Sequence, residues 1–281
     1  MTDYASSVLL DGLKFSEGPR WHDGRLWFSD MWANRVMTVD AAGRSEVIVE
    51  VPGRPSGLGW LPDGRLLVVS MADRRLMRLD PEGLREHADL SPVATSFAND
   101  MVVDGRGRAY VGNFGADLIG EPFRPAALAL VAPSGEVSVA AEGLEFPNGA
   151  VITPDGGTLV VAESRARRLT AFAIAGDGTL SDRRVFAELG EVVPDGICLD
   201  ADGAIWVANP RAHECVRVRE GGAVSDRVFT QHPAYACMLG GDDGRTLFVC
   251  TSDGSEADRR AGRSAAFVET ATVAVSRAGW P

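Results

Sequence analysis

Val193-Pro194-Asp195-Gly196-Ile197-Cys198-Leu199-Asp200, continuing into Ala201-Asp202-Gly203-Ala204-Ile205-Trp206-Val207-Ala208-Asn209, is the stretch whose reading decides the fold. It reads as a short apolar strand, a turn carrying Asp-Gly, and a second apolar strand. An acidic side chain, Asp195, stands just ahead of the first strand. The same pattern recurs along the chain, and the residue at the Asp195 position changes from copy to copy.

The turn-and-strand half recurs at His22–Asp30, Pro62–Ser70, Asp104–Asn113, Pro154–Ala162, Ala201–Val207 and Asp242–Val249. Asp-Gly between β-prone runs is a hairpin signal, because glycine takes the positive φ that the turn demands. The turn glycines Gly24, Gly64, Gly107, Gly156, Gly203 and Gly244 lie roughly 40 to 50 residues apart, a spacing of repeat architectures. Further short β-prone runs with their own turns, such as Val36–Asp40, Leu76–Asp80 and Leu169–Ile174, fill the intervals. Each repeat therefore holds about four strands, the content of one propeller blade. The pattern predicts an all-β fold, a single six-bladed β-propeller domain over residues 1–281 with four-stranded blades. A ring needs closure, since an open edge exposes strand hydrogen-bonding groups. The last β-prone run, Ala266–Val275, has no hairpin of its own and is expected to join the first blade near Val36–Val39. Ser252–Arg263 then reads as a surface loop.

Composition narrows the function. With 281 residues, 45% hydrophobic and 24% charged, the chain can bury a real core. A net charge of −11 with no basic stretch argues against nucleic acid as the main partner. The pairs Arg74-Arg75, Arg167-Arg168 and Arg259-Arg260 sit beside turns and read as solvated loop charge. No apolar run approaches the roughly 20 residues that span a bilayer, and Met1–Ala5 lacks the basic start of a signal peptide. The expectation is a cytoplasmic protein with no membrane partner; nothing in the sequence sets its oligomeric state. Cys198, Cys215, Cys237 and Cys250 are widely spaced, as reduced thiols rather than a disulfide framework, and no zinc-type Cys or His spacing occurs.

Aligning the residue ahead of each first strand gives Glu17, Ser56, Asn99, Asn148, Asp195 and Ala236. In a propeller, equivalent positions lie at one height around the central axis. Five oxygen-bearing side chains pack an apolar core poorly, and facing carboxylates are costly without compensation. A divalent cation removes that cost. Taken singly, Asp-Gly and Asn-Gly are turn dipeptides. Their fixed offset from a second turn, and the Glu17-Gly18-Pro19 copy, favour ligands. Oxygen donors suit Ca²⁺ first, with Mg²⁺, Mn²⁺ or Zn²⁺ as alternatives. Trp21 and Trp60, four residues beyond the ring positions, read as blade core; Ser56 reads as a hydrogen-bonding wall residue, and no serine triad motif surrounds it.

At these residues the chain resembles the SMP-30/gluconolactonase/luciferin-regenerating-enzyme family, six-bladed propellers with a divalent cation on the axis. The resemblance covers nearly the whole chain and rests on Glu17-Gly18-Pro19-Arg20-Trp21, Asn99-Asp100, Pro147-Asn148-Gly149, Pro194-Asp195-Gly196 and Gly240-Gly241. It implies Glu17, Asn148 and Asp195 as metal ligands, Asn99 as a further contact near metal or substrate, and Asp195 as the base. Sugar-lactonase members commonly carry an arginine two residues before the Asn-Asp pair; here that position is Phe97. An aromatic ring lacks a guanidinium's forked donors, so a less polar lactone or ester fits at least as well as a polyhydroxylated lactone. Glu121 is a candidate lid residue, and Tyr235 and Cys237 flank Ala236 near the expected mouth. The implied reaction is metal-assisted hydrolysis of a lactone or related ester, with water as nucleophile and Asn99 and Asp100 orienting substrate or water. A carboxylate on a cation is a weaker base, so the water's activation can come from the metal as well as from Asp195. The alternatives are hydrolysis of another bond, such as a phosphotriester, and a non-catalytic propeller whose cation is structural.

Overall fold

A computed structural model describes residues 1–115 and 123–279. The described residues form six sheets, each built around one innermost strand: Ser16–His22, Pro55–Trp60, Ala98–Val103, Pro147–Ile152, Ile197–Leu199 and Ala234–Gly240. Each innermost strand touches the next, and the sixth returns to the first, so the sheets close as a six-bladed propeller. All six hairpin glycines have positive φ, from +70° at Gly156 to +86° at Gly64, the backbone geometry that selects glycine there.

Blade faces are stacked on one another, so the middle strands are covered on both sides and read as continuous apolar runs. Leu66–Ser70 and Ile205–Asn209 are buried throughout, whereas the outermost strand of the first blade, Ser45–Glu50, is mostly exposed. Trp21 is core, stacked on Phe248 at 5.2 Å between ring centres; Trp60 is half-buried and stacks on His22 at 4.0 Å. All four cysteines are buried free thiols. No helix among the described residues is long and apolar enough to cross a membrane.

Ring closure differs from the sequence expectation. Ala266–Thr272 does not join the first blade, which already has four strands between Ser16 and Glu50. It is the third strand of the sixth blade, antiparallel to Thr246–Ser252 on one side and to the N-terminal strand Ser7–Leu13 on the other. The chain's beginning thus completes its last blade. Thr2–Ala5 adds a fifth, parallel strand to the edge of the fifth blade. The Ser252–Arg263 segment is not purely loop either, because Glu256–Arg260 forms one helical turn capped by Ser255.

Leu13 packs into the same core as Phe248 and Val268. Burying one leucine is worth about 2–3 kcal/mol, before the loss of strand pairing is counted. Deleting residues 2–13 is expected to lower the unfolding midpoint sharply in denaturant titrations and to promote aggregation through the bared edge of Ala266–Thr272. An unchanged midpoint would contradict this closure.

Candidate active site

Five of the six ring residues stand at the start of an innermost strand, and each is next to a break in strand register. The breaks fall at Glu17/Arg20, Pro55/Leu58, Ala98/Met101, Pro147/Ala150 and Ala234/Ala236. Asp195 lies just outside pairing, which begins at Ile197. A bulge releases a residue from strict alternation and re-aims its side chain. The residue after the ring position is glycine in four blades, and for Gly57, Gly149 and Gly196 the cause is not turn geometry, because their φ is not positive. A Cβ on Gly57 would lie 2.4 Å from Met101 N, and one on Gly149 would lie 2.6 Å from Ile197 N. Neighbouring inner strands meet there main chain to main chain.

Above this contact opens a cavity of about 220 Å³. Glu17, Asn99, Asn148 and Asp195 reach it, and Tyr235 lines it. Phe97 lines it too. Ser56 does not; its hydroxyl faces Asn99 Oδ1 at 3.5 Å. Asp100 is not on the cavity wall. Its carboxylate takes a hydrogen bond from Arg20 at 3.0 Å and from Met101 N at 2.8 Å, with both side chains almost wholly buried. Cys237 lies beneath the site, its thiol 3.9 Å from that of Cys198. Glu121 lies outside the described residues.

Several lining residues escaped the sequence reading. Arg259, read as solvated loop charge, stands in the cavity with its guanidinium 4.2 Å from the centre of the Phe15 ring and hydrogen-bonded to the Tyr235 hydroxyl. Phe15, Arg54 and Phe146 stand two residues before Glu17, Ser56 and Asn148, as Phe97 does before Asn99, and all four line the cavity. Four of the six repeats thus contribute to a second tier, a signal that was available in the same alignment. Buried acids at the far end of the second strands hold this tier. Asp30 Oδ1 accepts from Lys14 N and Phe15 N at 2.9 and 3.0 Å, and is itself paired with Arg35. Glu163 accepts from Glu145 N at 2.7 Å and is paired with Arg168.

The electrostatics concentrate on two carboxylates. Desolvation pushes Glu17 well above the usual carboxylate range, and the charges of Asp195 and Asp100 add to it. Asp195 is raised to about 7, first by desolvation and then by Asp100. The Arg259 charge opposes both shifts and a hydrogen bond from Asn148 opposes the second, yet burial wins in each case. Two carboxylates are thus held together without enough positive charge.

Comparison with known proteins fits this arrangement. Residues 15–253 match the SMP-30/gluconolactonase/LRE-like family. The chain belongs to that family. The gluconolactonase of Zymomonas mobilis is 23% identical over 87% of this chain and 78% of its own length. Strictosidine synthase-like 6 of Arabidopsis thaliana is 29% identical over 64% of this chain, a match spanning only about half, 51%, of that protein. The crystal structure of a calcium-binding protein, regucalcin from Agrobacterium tumefaciens, superposes with a TM-score of 0.81 at 21% identity, covering 100% of this chain and 98% of that one.

Among the described residues no three His, Cys, Asp or Glu side chains form a metal-binding group. A cation in this family member would rest on a mixed carboxylate and amide set. The residues fit one: Glu17 and Asp195 lack counter-charge, and the Asn99 amide nitrogen is buried with no partner. Turning that amide over would offer its oxygen to the axis and its NH₂ to Ser56.

Two outcomes follow from these charges. A carboxyl raised from 3.8 to about 7 binds more protons folded than unfolded, so without a cation stability falls as pH rises through that window. The gain in melting temperature from millimolar Ca²⁺ over chelator should therefore grow between about pH 5 and pH 8; a pH-independent or absent gain would count against a cation here. Asp100→Asn should destabilise the fold by about 3–5 kcal/mol, because it leaves Arg20 buried without its partner charge. Full stability in denaturant would show that Asp100 is not that partner.

Proposed function

We propose that the protein is a divalent-cation-dependent hydrolase that opens a lactone or cleaves a related ester, a small-molecule substrate bound in the cavity above Glu17 and Asp195. The observation that carries this reading is the pair of under-compensated carboxylates beneath walls of apolar side chains. Membership of a family that includes gluconolactonases supports it, and the calcium named for the regucalcin structure favours Ca²⁺ over Mg²⁺, Mn²⁺ or Zn²⁺.

Glu17, Asn148 and Asp195 would hold the cation, which when bound polarises the carbonyl and stabilises the oxyanion of the transition state. The chain's own groups do the rest. Asn148, itself fixed by Ser164 at 3.2 Å, donates to Asp195 and sets the orientation of its carboxylate. Ser164 is tied in turn to Pro194 O at 2.6 Å, so the loop bearing Asp195 is anchored to the neighbouring blade. Asp195 orients the water and takes its proton as the oxygen bonds to the carbonyl carbon. Collapse breaks the ring C–O bond, and the proton passes to the leaving alkoxide, giving the hydroxy acid. Apolar walls limit competing water and strengthen each charge interaction inside.

Asp195→Asn is expected to lower kcat by at least about 100-fold on the best substrate from a panel of lactones, esters and phosphotriesters assayed by proton release with each cation. The same variant should raise the melting temperature of chelator-treated protein, because a costly buried charge is gone. Retained turnover would remove Asp195 from the reaction. A preference for phosphotriesters would replace the ester reading, and no hydrolysis by cation-loaded protein would end it.

A further inference from the structure

The tier two residues before the ring reads Phe15, Arg54, Phe97, Phe146, Val193 and Ala234, and the first four line the cavity. Phe97 stands edge-on to Phe114 at 6.1 Å, and Phe114 meets Phe146 at 4.7 Å, forming one continuous aromatic wall. Phe15 and Tyr235, 4.8 Å apart, form another aromatic group. Such surfaces accept a flat apolar group and offer little to a ring of hydroxyls, whose hydrogen bonds to water would go unreplaced.

Within this apolar lining lies one cation of a different kind from Arg259. Arg259 is the cation whose charge bears on both Glu17 and Asp195. Arg54 lies with its guanidinium 4.5 Å from the Trp32 ring centre and 5.7 Å from that of Phe97. Among the described residues it makes no ion pair and no side-chain hydrogen bond, although every arginine held on a blade by an acid shows how readily this chain supplies one. Aromatic faces hold a guanidinium in place while leaving its forked donors open, and that fork matches a carboxylate.

Resting on the hydrolase reading above, we infer that the substrate class is a lactone or ester with a flat, apolar body and a carboxylate. Arg54 receives the carboxylate, the Phe97–Phe114–Phe146 wall covers the body, and the scissile carbonyl faces Glu17 and Asp195. Arg54 is thus a specificity-determining residue, and Phe97 is part of the surface that excludes polyhydroxylated lactones.

The test compares γ-phenyl-γ-butyrolactone, the same lactone with a para-carboxylate on its phenyl ring, and glucono-δ-lactone, with calorimetric binding of 3-phenylpropionate as a readout that needs no turnover. Wild type is expected to favour the carboxylated lactone over its neutral parent by about tenfold or more in kcat/KM, ~1.4 kcal/mol or more. Arg54→Gln should collapse that ratio toward one and weaken 3-phenylpropionate by a similar factor, and Arg54→Lys should recover part of both by restoring charge without the fork. If lactones are hydrolysed with no carboxylate preference, or if Arg54→Gln leaves the ratio intact, the inference is overturned while the hydrolase reading stands. If no lactone is hydrolysed but 3-phenylpropionate binds in an Arg54-dependent manner, the anion site stands and the hydrolase reading falls. Preference for glucono-δ-lactone overturns the inference outright.

Discussion

The structure depends on how closely six inner strands approach one another around the axis. At Gly18 a side-chain carbon would lie 2.5 Å from Ser56 O, and at Gly196 one would lie 2.6 Å from Ala236 Cα. Backbone therefore meets backbone just below the ring, and the propeller's central channel has a floor. Only where that contact is made without side chains can the ring residues above it converge. Asp100 is the informative exception. It occupies the position that is glycine in its neighbours, and its carboxylate runs alongside Gly57 to meet Arg20 from the first blade. The space Gly57 leaves empty is part of what an ion pair fills, tying the first and third blades under the site.

A floored cavity with carboxylates at its base sets an electrostatic problem that the chain only half solves. Asp30 and Glu163 are also buried acids, but each has an arginine and backbone N–H donors. Glu17 has the N–H of Gly18 at 3.0 Å and a share of the Arg259 charge, and it remains far above its ordinary range. The contrast lies within one protein. Where an acid serves the scaffold, the chain completes its shell; on the axis it leaves the shell open, which is where a ligand has something to supply.

Much of this was legible in the sequence, for physical reasons. Hairpin glycines are fixed by φ, so their recurrence reported the blades directly. The ring was legible because rotational repetition turns sequence offset into height on the axis. Closure was not, because Ser7–Leu13 is an edge strand with Gly12 inside it and two breaks in register, which blur the alternation that marks a strand. Arg259 was illegible for a different reason. It arrives on a five-residue helical turn outside the repeat, and nothing in a dipeptide of arginines tells a solvated charge from one laid across Phe15. Asp100 read as a site residue from its neighbour Asn99, yet its carboxylate turned to Arg20 and Met101 N instead, and nothing in the dipeptide marks that partner.

The second tier shows how a repeat acquires an individual pocket. Two of its members, Arg54 and Phe146, have φ of +65° and +62°, and each immediately precedes a proline, Pro55 or Pro147. Left-handed backbone costs a side-chain-bearing residue about 1–2 kcal/mol, and a following proline narrows its options further. Of the other positive-φ residues that are not glycine, Asp23, Asn34, Arg74 and Arg167 fall in turns between strands, where reversal of the chain requires them, and Asp182 sits at a break in register within Leu180–Glu188. Arg54 and Phe146 instead lead into innermost strands, and both side chains enter the cavity. Phe15 and Phe97, without that backbone, reach it from the same tier. The chain thus tolerates strain at two places that set a guanidinium and a phenyl ring in the cavity wall. Backbone conformation and side-chain chemistry at this height serve the same end, the walls of the cavity above Glu17 and Asp195.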